Sequence, residues 1–318
     1  MQSAIVQKVT GQSVLDYLRP RLFDPLGIEN PQWQADAHGI SLGGFGLSGR
    51  TEDIAKFGQL YLQKGKWQGK PLVPATWVEL ATARHVSNGS NPESDWEQGY
   101  GFQFWRSRHG FYRGDGAFGQ FCIVLEELDA VVAITSGTRD MGHVMNLVWE
   151  KLVPAMKPKA LRADKAAHEK LTRAVAALTI PPPAANGSKP ADAVTAQFGR
   201  TYRFEANEQQ IESVSIAKGS DAGSHVVRFQ MADRTNEFVC GDAWRRSRQA
   251  VSHQPEQDVA TAGAWTADDT FTLKLCLVET PFIVTMKLRF DGDTVSLDSE
   301  YNVGFGDPKR PTLTGRAE

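Results

Sequence analysis

The sequence predicts an α+β region followed by an all-β region. Three observations carry that expectation. Helical periodicity dominates the first 83 residues. Short apolar strands with tight turns then occupy about 100–136, closed by one more helical stretch. Beyond Gln197, short alternating runs recur with turns such as Asp291-Gly292 between them. Helices flanking a block of adjacent strands imply an antiparallel sheet covered by helices. Many short strands at regular turn spacing imply a barrel or sandwich.

In order, Ala4, Ile5 and Val9 sit at helical spacing, and Gly11 is a stop. Ser13 caps a second helix with Asp16 at its third position, and Val14, Leu15, Leu18 and Leu22 share a face. Residues 27–50 read as loop. Thr51 reads as an N-cap, followed by Glu52 and Asp53, which suit the positive end of a helix dipole. Ile54, Phe57 and Tyr61 form the buried face, and Gly65 ends the helix. A helix over about 74–83 and a polar loop over 85–97 follow. Strands are expected at about 100–106, 109–113, 120–125 and 130–136, then a helix at about 141–153 bearing Val144, Leu147 and Val148. An amphipathic helix over about 161–178 carries Leu161, Leu171, Val175 and Leu178. Pro181–Pro183 and Asn186–Pro190 then read as a stiff linker. The resulting division is a first domain at 1–156, a helix and Pro-rich linker at 157–192, and a β domain at 193–318. The 318 residues suffice for two ordinary domains.

Composition narrows the function. With 41% hydrophobic and 23% charged residues the chain has a globular make-up. A formal net charge of −2 gives no field that would gather nucleic acid. The longest apolar runs, such as Ala130–Ile134, are too short to span a bilayer. Cys122, Cys240 and Cys276 are odd in number and far apart in sequence, which reads as three reduced core thiols rather than a disulfide frame. No histidine pair has zinc-ligand spacing. Asp291-x-Asp293 starts like a calcium loop, but Val295 and Asn302 break the ligand set. The chain therefore calls for no metal and no cofactor. Trp96, Trp105 and Trp149 read as packing residues.

Nucleophile candidates fail on geometry. Ser215-Ile216-Ala217-Lys218 has Ser-x-x-Lys spelling but sits in an alternating run, where i and i+3 point to opposite faces. Gly46-Leu47-Ser48-Gly49-Arg50 is not a nucleophile elbow, because Arg50 stands where the second glycine is needed.

Five elements occur in a telling order: the loop Gly43-Gly44-Phe45-Gly46-Leu47-Ser48; the helix opened by Thr51 and Asp53; Gly99-Tyr100-Gly101-Phe102-Gln103-Phe104-Trp105; the Gly-rich stretch Gly114–Gln120; and a strand ending Ala133-Ile134-Thr135-Ser136-Gly137. Together, over roughly residues 1–156, they resemble the C-terminal half of serine hydrolases of the class C β-lactamase and penicillin-binding-protein superfamily. The resemblance implies acyl transfer to a serine of a Ser-x-x-Lys pair, assisted by a Tyr-x-Asn type motif. A third motif, Lys or His, a variable residue and Gly, lies on an edge strand. Its match here is Arg113 through Gly116. Gly116 aligns with the final Gly, Asp115 stands in the middle and Gly114 stands at the cation position. Arg113 supplies the charge only with a one-residue shift, which favours an ester or amide substrate over penicillin-type carboxylate recognition. Tyr100 is a further cleft candidate.

The resemblance also implies that the chain begins just after the Tyr motif, so that nucleophile and base are absent and residues 1–318 alone are inactive. The intact partner would be a small ester, amide or β-lactam-like substrate. In the tail, Trp265–Cys276 and Pro281–Thr285 resemble the hairpins of a lipocalin-like β domain. The alternative expectation is a non-catalytic ligand- or protein-binding module.

Overall fold

Helix α1 (Gln2–Thr10) ends at Gly11, whose φ of 72° lets its N–H reach the Gln7 carbonyl. Ser13 then accepts from the Asp16 N–H at 3.1 Å and opens α2 (Val14–Leu18). Helix α3 (Thr51–Leu62) corrects one expectation: its N-cap is Arg50, not Thr51. The third residue of the helix closes the first turn, with the Asp53 carboxylate accepting the Arg50 N–H at 3.1 Å. Thr51 is thereby released, and its hydroxyl bonds that of Thr135 at 2.8 Å. Helix α4 spans Ala75–Thr82.

The computed structural model describes residues 1–185, 190–251 and 256–318. They fall into two compact units, Met1–Leu161 and Arg162–Glu318. The 186–189 part of the expected linker, and His253, lie outside the described residues. No helix among the described residues is long and apolar enough to cross a membrane.

The first unit is built on a four-stranded antiparallel sheet in the order β1 (Trp105–Arg106), β2 (Tyr112–Gly116), β3 (Gln120–Leu125), β4 (Ala130–Ile134). One face packs Tyr112 and Val124 with Tyr61, Val78 and Phe104. Helix α3 comes closest here. A Cβ on Gly58 would stand 2.5 Å from Val131 Cγ1 and 2.8 Å from Cys122 Sγ, so only glycine permits this approach. The other face packs Phe121, Ile123 and Leu125 with Met145, Val148 and Trp149, carried by α5 (Met141–Leu147) and the helical turns after it. Each such side chain contributes about 1.5–3 kcal/mol on burial.

Two strand expectations need correction. The 100–106 strand shrinks to Trp105–Arg106, because Gln103 at φ 66° breaks the extended chain. The 109–113 strand moves to 112–116, because residues 108–110 form a turn with His109 at φ 63°. Gly114, Asp115 and Gly116 are therefore inside a strand, held in register by Gly114↔Cys122, Asp115↔Phe121 and Gly116↔Gln120. Pairing with an apolar partner strand overrides the weak strand preference of glycine.

In the second unit, α6 (Lys165–Ala176) is capped by Asp164 and has every residue exposed. Pro181–Pro183 is not a free spacer: Trp244 Nε1 donates to the Ile180 carbonyl at 2.7 Å and Lys274 Nζ to the Pro181 carbonyl at 2.9 Å. Ten antiparallel strands follow as a nearly closed barrel. They are β5 (Thr201–Phe204), β6 (Ile211–Lys218), β7 (His225–Met231), β8 (Thr235–Cys240), β9 (Arg245–Ala250), β10 (Glu256–Trp265), β11 (Thr270–Leu277), β12 (Ile283–Asp291), β13 (Thr294–Tyr301) and β14 (Leu313–Ala317). Each pairs with its sequence neighbour except β8 with β9, and β14 returns to pair with β5. Alternation fills the interior: Val284, Met286, Leu288 and Phe290 of β12 meet Phe271, Leu273 and Leu275 of β11.

All three cysteines are free thiols. Burial pushes those of Cys122 and Cys240 up to about 12. His225 lies among the barrel aromatics, its Nε2 accepting from Trp265 Nε1 at 3.1 Å. Burial lowers its pKa below the ordinary 6.5. A depressed histidine gives stability that is complete above the unfolded value and lost as pH falls through the folded one. The expected result is a thermal midpoint that falls as pH drops below about 6.5, with that part of the loss missing in His225→Gln. Equal pH profiles for both proteins would rule this out.

Candidate active site

Strand β2 pairs with β3 along its whole length but with β1 only at Tyr112 and Arg113. Gly114, Asp115 and Gly116 therefore lie on the open edge of the sheet. Beyond them the chain reverses through Phe118 at φ 67° and Gly119 at φ 94°. A Cβ on Gly119 would stand 2.1 Å from Ser136 Oγ, so no other residue fits there. The turn is tied to the end of β4: Ser136 Oγ donates to the Gly119 carbonyl at 2.8 Å, and Gln120 Nε2 to the Ser136 carbonyl at 2.6 Å.

Alternation sends Arg113 and Asp115 to the face opposite Tyr112 and Gly114. Arg113 is fully buried. Its Nε and Nη2 donate to Asp115 Oδ2 at 3.0 and 2.8 Å. Its Nη1 donates to the Asp95 carbonyl at 3.0 Å and to Ser107 Oγ at 2.8 Å. The guanidinium lies 5.0 Å from the Trp96 ring and 5.7 Å from the Trp105 ring, within cation–π range. Trp96 Nε1 completes the site by donating to Asp115 Oδ2 at 3.0 Å. Burial raises the Asp115 pKa while the Arg113 charge opposes the rise. Such a charge is tolerated inside only because it is paired and hydrogen-bonded.

A second buried carboxylate stands behind the first. Asp95 is 2% exposed. Its Oδ1 accepts the Arg108 backbone N–H at 3.0 Å. Its Oδ2 accepts Arg108 Nε and Trp149 Nε1, each at 3.0 Å. This Asp95–Arg108–Trp149 group was not singled out from sequence. The available signal was an acidic residue beside a tryptophan in an otherwise exposed loop. Tyr100 is half-buried, packs edge-on against Trp105 at 4.9 Å and points its hydroxyl at Gln103 Oε1, 3.4 Å away. Burial, and then the Asp115 charge, raise its pKa.

The structure thus gathers Arg113, Asp115, Gly116 and Tyr100 around one strand but gives them different surroundings. Gly114 and Gly116 line the open edge, while Arg113 and Asp115 satisfy each other beneath it. The expected packing tryptophans Trp96 and Trp149 also donate hydrogen bonds into buried carboxylates. Ser215 and Lys218 lie in β6, where their positions alternate across the sheet. Among the described residues, no serine hydroxyl is hydrogen-bonded to a lysine, histidine or tyrosine side chain, and no cluster of three or more metal-ligating side chains forms.

A helix-covered antiparallel sheet with a glycine-lined open edge defines the class of the first unit. Residues 1–147 match the family model Beta-lactamase. Among solved structures, a Bacillus anthracis protein described as a 6-aminohexanoate-dimer hydrolase is 21% identical, with 49% of this chain and 42% of that chain covered at a TM-score of 0.41. An octameric penicillin-binding protein homologue from Pyrococcus abyssi is 12% identical, covering 99% of this chain and 62% of that one at a TM-score of 0.35. As-p18, an extracellular fatty acid binding protein, is 11% identical over 41% of this chain and 99% of its own, at a TM-score of 0.30. The chain thus spans less than half the length of the Bacillus anthracis protein. No curated protein matches it.

Proposed function

We propose that the first unit supplies the strand-edge side of a serine-hydrolase site that transfers an acyl group from a neutral ester or amide. The carrying observation is the open edge at Gly114–Gly116 within the segment that matches the Beta-lactamase family model. Two glycines leave the edge free of side chains, so an acyl substrate can lie against its backbone. The one cation of the motif, Arg113, is enclosed and neutralised by Asp115. The strand therefore offers no positive charge to a substrate carboxylate, which supports esters and amides over penicillins. In this reading Arg113 and Asp115 are positioning residues that fix β2, and Tyr100 lines the approach. Activation of a nucleophilic serine needs a base within hydrogen-bond reach, and no serine hydroxyl among the described residues is hydrogen-bonded to a lysine, histidine or tyrosine side chain. The barrel belongs to the second compact unit, Arg162–Glu318.

The test compares residues 1–318 with a form extended by the in-frame upstream sequence, on p-nitrophenyl acetate and nitrocefin. Residues 1–318 should show no turnover, and the extended form should hydrolyse the ester in preference to the β-lactam. Stoichiometric fluorophosphonate labelling of 1–318 would overturn the reading. An inactive extended form would favour a non-catalytic binding module, a reading that the absence of a paired serine among the described residues also supports.

A further inference from the structure

Helix α6 leaves its apolar face uncovered. Leu171 and Val175 stand one turn apart on it, and Leu178 follows in line as its N–H bonds the Val175 carbonyl at 3.1 Å. These three are 61%, 57% and 79% exposed, and Ile180 beyond them is exposed too. Asp164 caps one end of the helix, accepting the Ala167 N–H at 2.9 Å. Past the other end, the bonds from Trp244 and Lys274 to the Ile180 and Pro181 carbonyls fix the chain to the barrel. Between these two ends no residue from 161 to 180 is buried. A helix of 12 residues draws most of its stability from packing one face. The stripe is therefore suited to a cover that the described residues do not provide.

Charge selects the cover. Residues 157–178 hold six Lys or Arg against two acidic residues, Asp164 and Glu169, in a chain of net charge −2. At about 100° per residue, Lys165 lies about 120° round the helix from the centre of the stripe on one side, and Lys170 about 100° on the other. Both rims of the stripe are thus cationic, while Glu169 and Arg173 share the back. Glu169 lies 3.9 Å from Lys165, an exposed pair that holds the lysine only weakly. Lysines at both rims suit a surface into which the stripe sinks to headgroup depth while the long stems carry their ammonium groups up to phosphates. The stripe consists of aliphatic side chains and alanines, without the aromatic or Arg anchors on which protein grooves close.

We propose that α6 docks flat on an anionic lipid surface, with Leu171, Val175 and Leu178 in the headgroup layer and Lys165 and Lys170 on lipid phosphates. This surface is independent of the proposed hydrolase chemistry. A stripe this narrow binds weakly without charge, so the charge of the lipid decides the affinity. The test is cosedimentation of the full chain with vesicles of phosphatidylcholine alone, or of phosphatidylcholine and phosphatidylglycerol in equal parts. Binding to the anionic vesicles should be tighter by about tenfold or more, and it should fall as salt is raised. Lys165→Gln with Lys170→Gln should weaken it by about tenfold, and so should Leu171→Ser with Val175→Ser. Lys66→Gln with Lys70→Gln removes the same charge from exposed positions elsewhere and should leave binding within about twofold. All six side chains are exposed, so none of these changes should move the thermal midpoint. Equal partition into both vesicles, binding to neither, unchanged binding in either α6 variant, or equal weakening by the Lys66 and Lys70 changes would each overturn the proposal. A concentration-dependent dimer without lipid, abolished by Leu171→Ser with Val175→Ser, would overturn it in favour of a second copy on the stripe.

Discussion

Replacing Asp115 by Asn should destabilise the first unit by about 3–5 kcal/mol, the cost of leaving one member of a buried ion pair without its partner. The carboxylate takes three hydrogen bonds, two from Arg113 and one from Trp96. Asparagine keeps the shape but not the charge. Arg113 would then be fully enclosed with only carbonyl and hydroxyl oxygens for company. Urea unfolding of the full chain should show an early loss of tryptophan fluorescence, since Trp96 and Trp105 flank the guanidinium. Arg113→Met combined with Asp115→Leu should cost less than Asp115→Asn alone, because an apolar pair leaves no charge unpaired. If the double variant were the less stable, Arg113 would have a role outside this pair. Hydrogen exchange at Gly114–Gly116 should quicken in Asp115→Asn, which would tie the pair to the geometry of the open edge.

The second large effect is expected in the barrel. Phe271 is 0% exposed, with its ring centroid 5.0 Å from that of His225 and 5.3 Å from that of Trp265. Phe271→Ala should cost about 3–5 kcal/mol, the transfer term plus the cavity left behind. Hydrogen exchange should rise along β10 and β11 while Gly114–Gly116 is unchanged. Near-UV circular dichroism should also weaken, because Trp265 loses a ring neighbour. A loss under about 1 kcal/mol would mean that the barrel collapses around the gap.

The sequence by itself determined the layering of the first unit and the all-β character of the second. Periodicity, Gly11 and Ser13 placed the first two helices, and continuous apolar runs at 120–125 and 130–134 placed two strands, because these signals are local. The geometry excluding Ser215 and Lys218 as a catalytic pair was legible for the same reason. Only the tertiary structure decided which residues of the Arg113–Gly116 stretch face the edge. Arg113 reads in sequence as an available cation. Its true partners, Asp95, Ser107, Asp115 and two tryptophans, lie on three segments (95–96, 105–107 and its own strand) that local patterning cannot bring together. Strand β9 was invisible because Arg245-Arg246-Ser247-Arg248 has no alternation, and it is a strand only because β10 pairs with it. Glycines 114 and 116 became strand for the same reason. Their backbone bonds β3 in a register that an isolated chain has no means of setting.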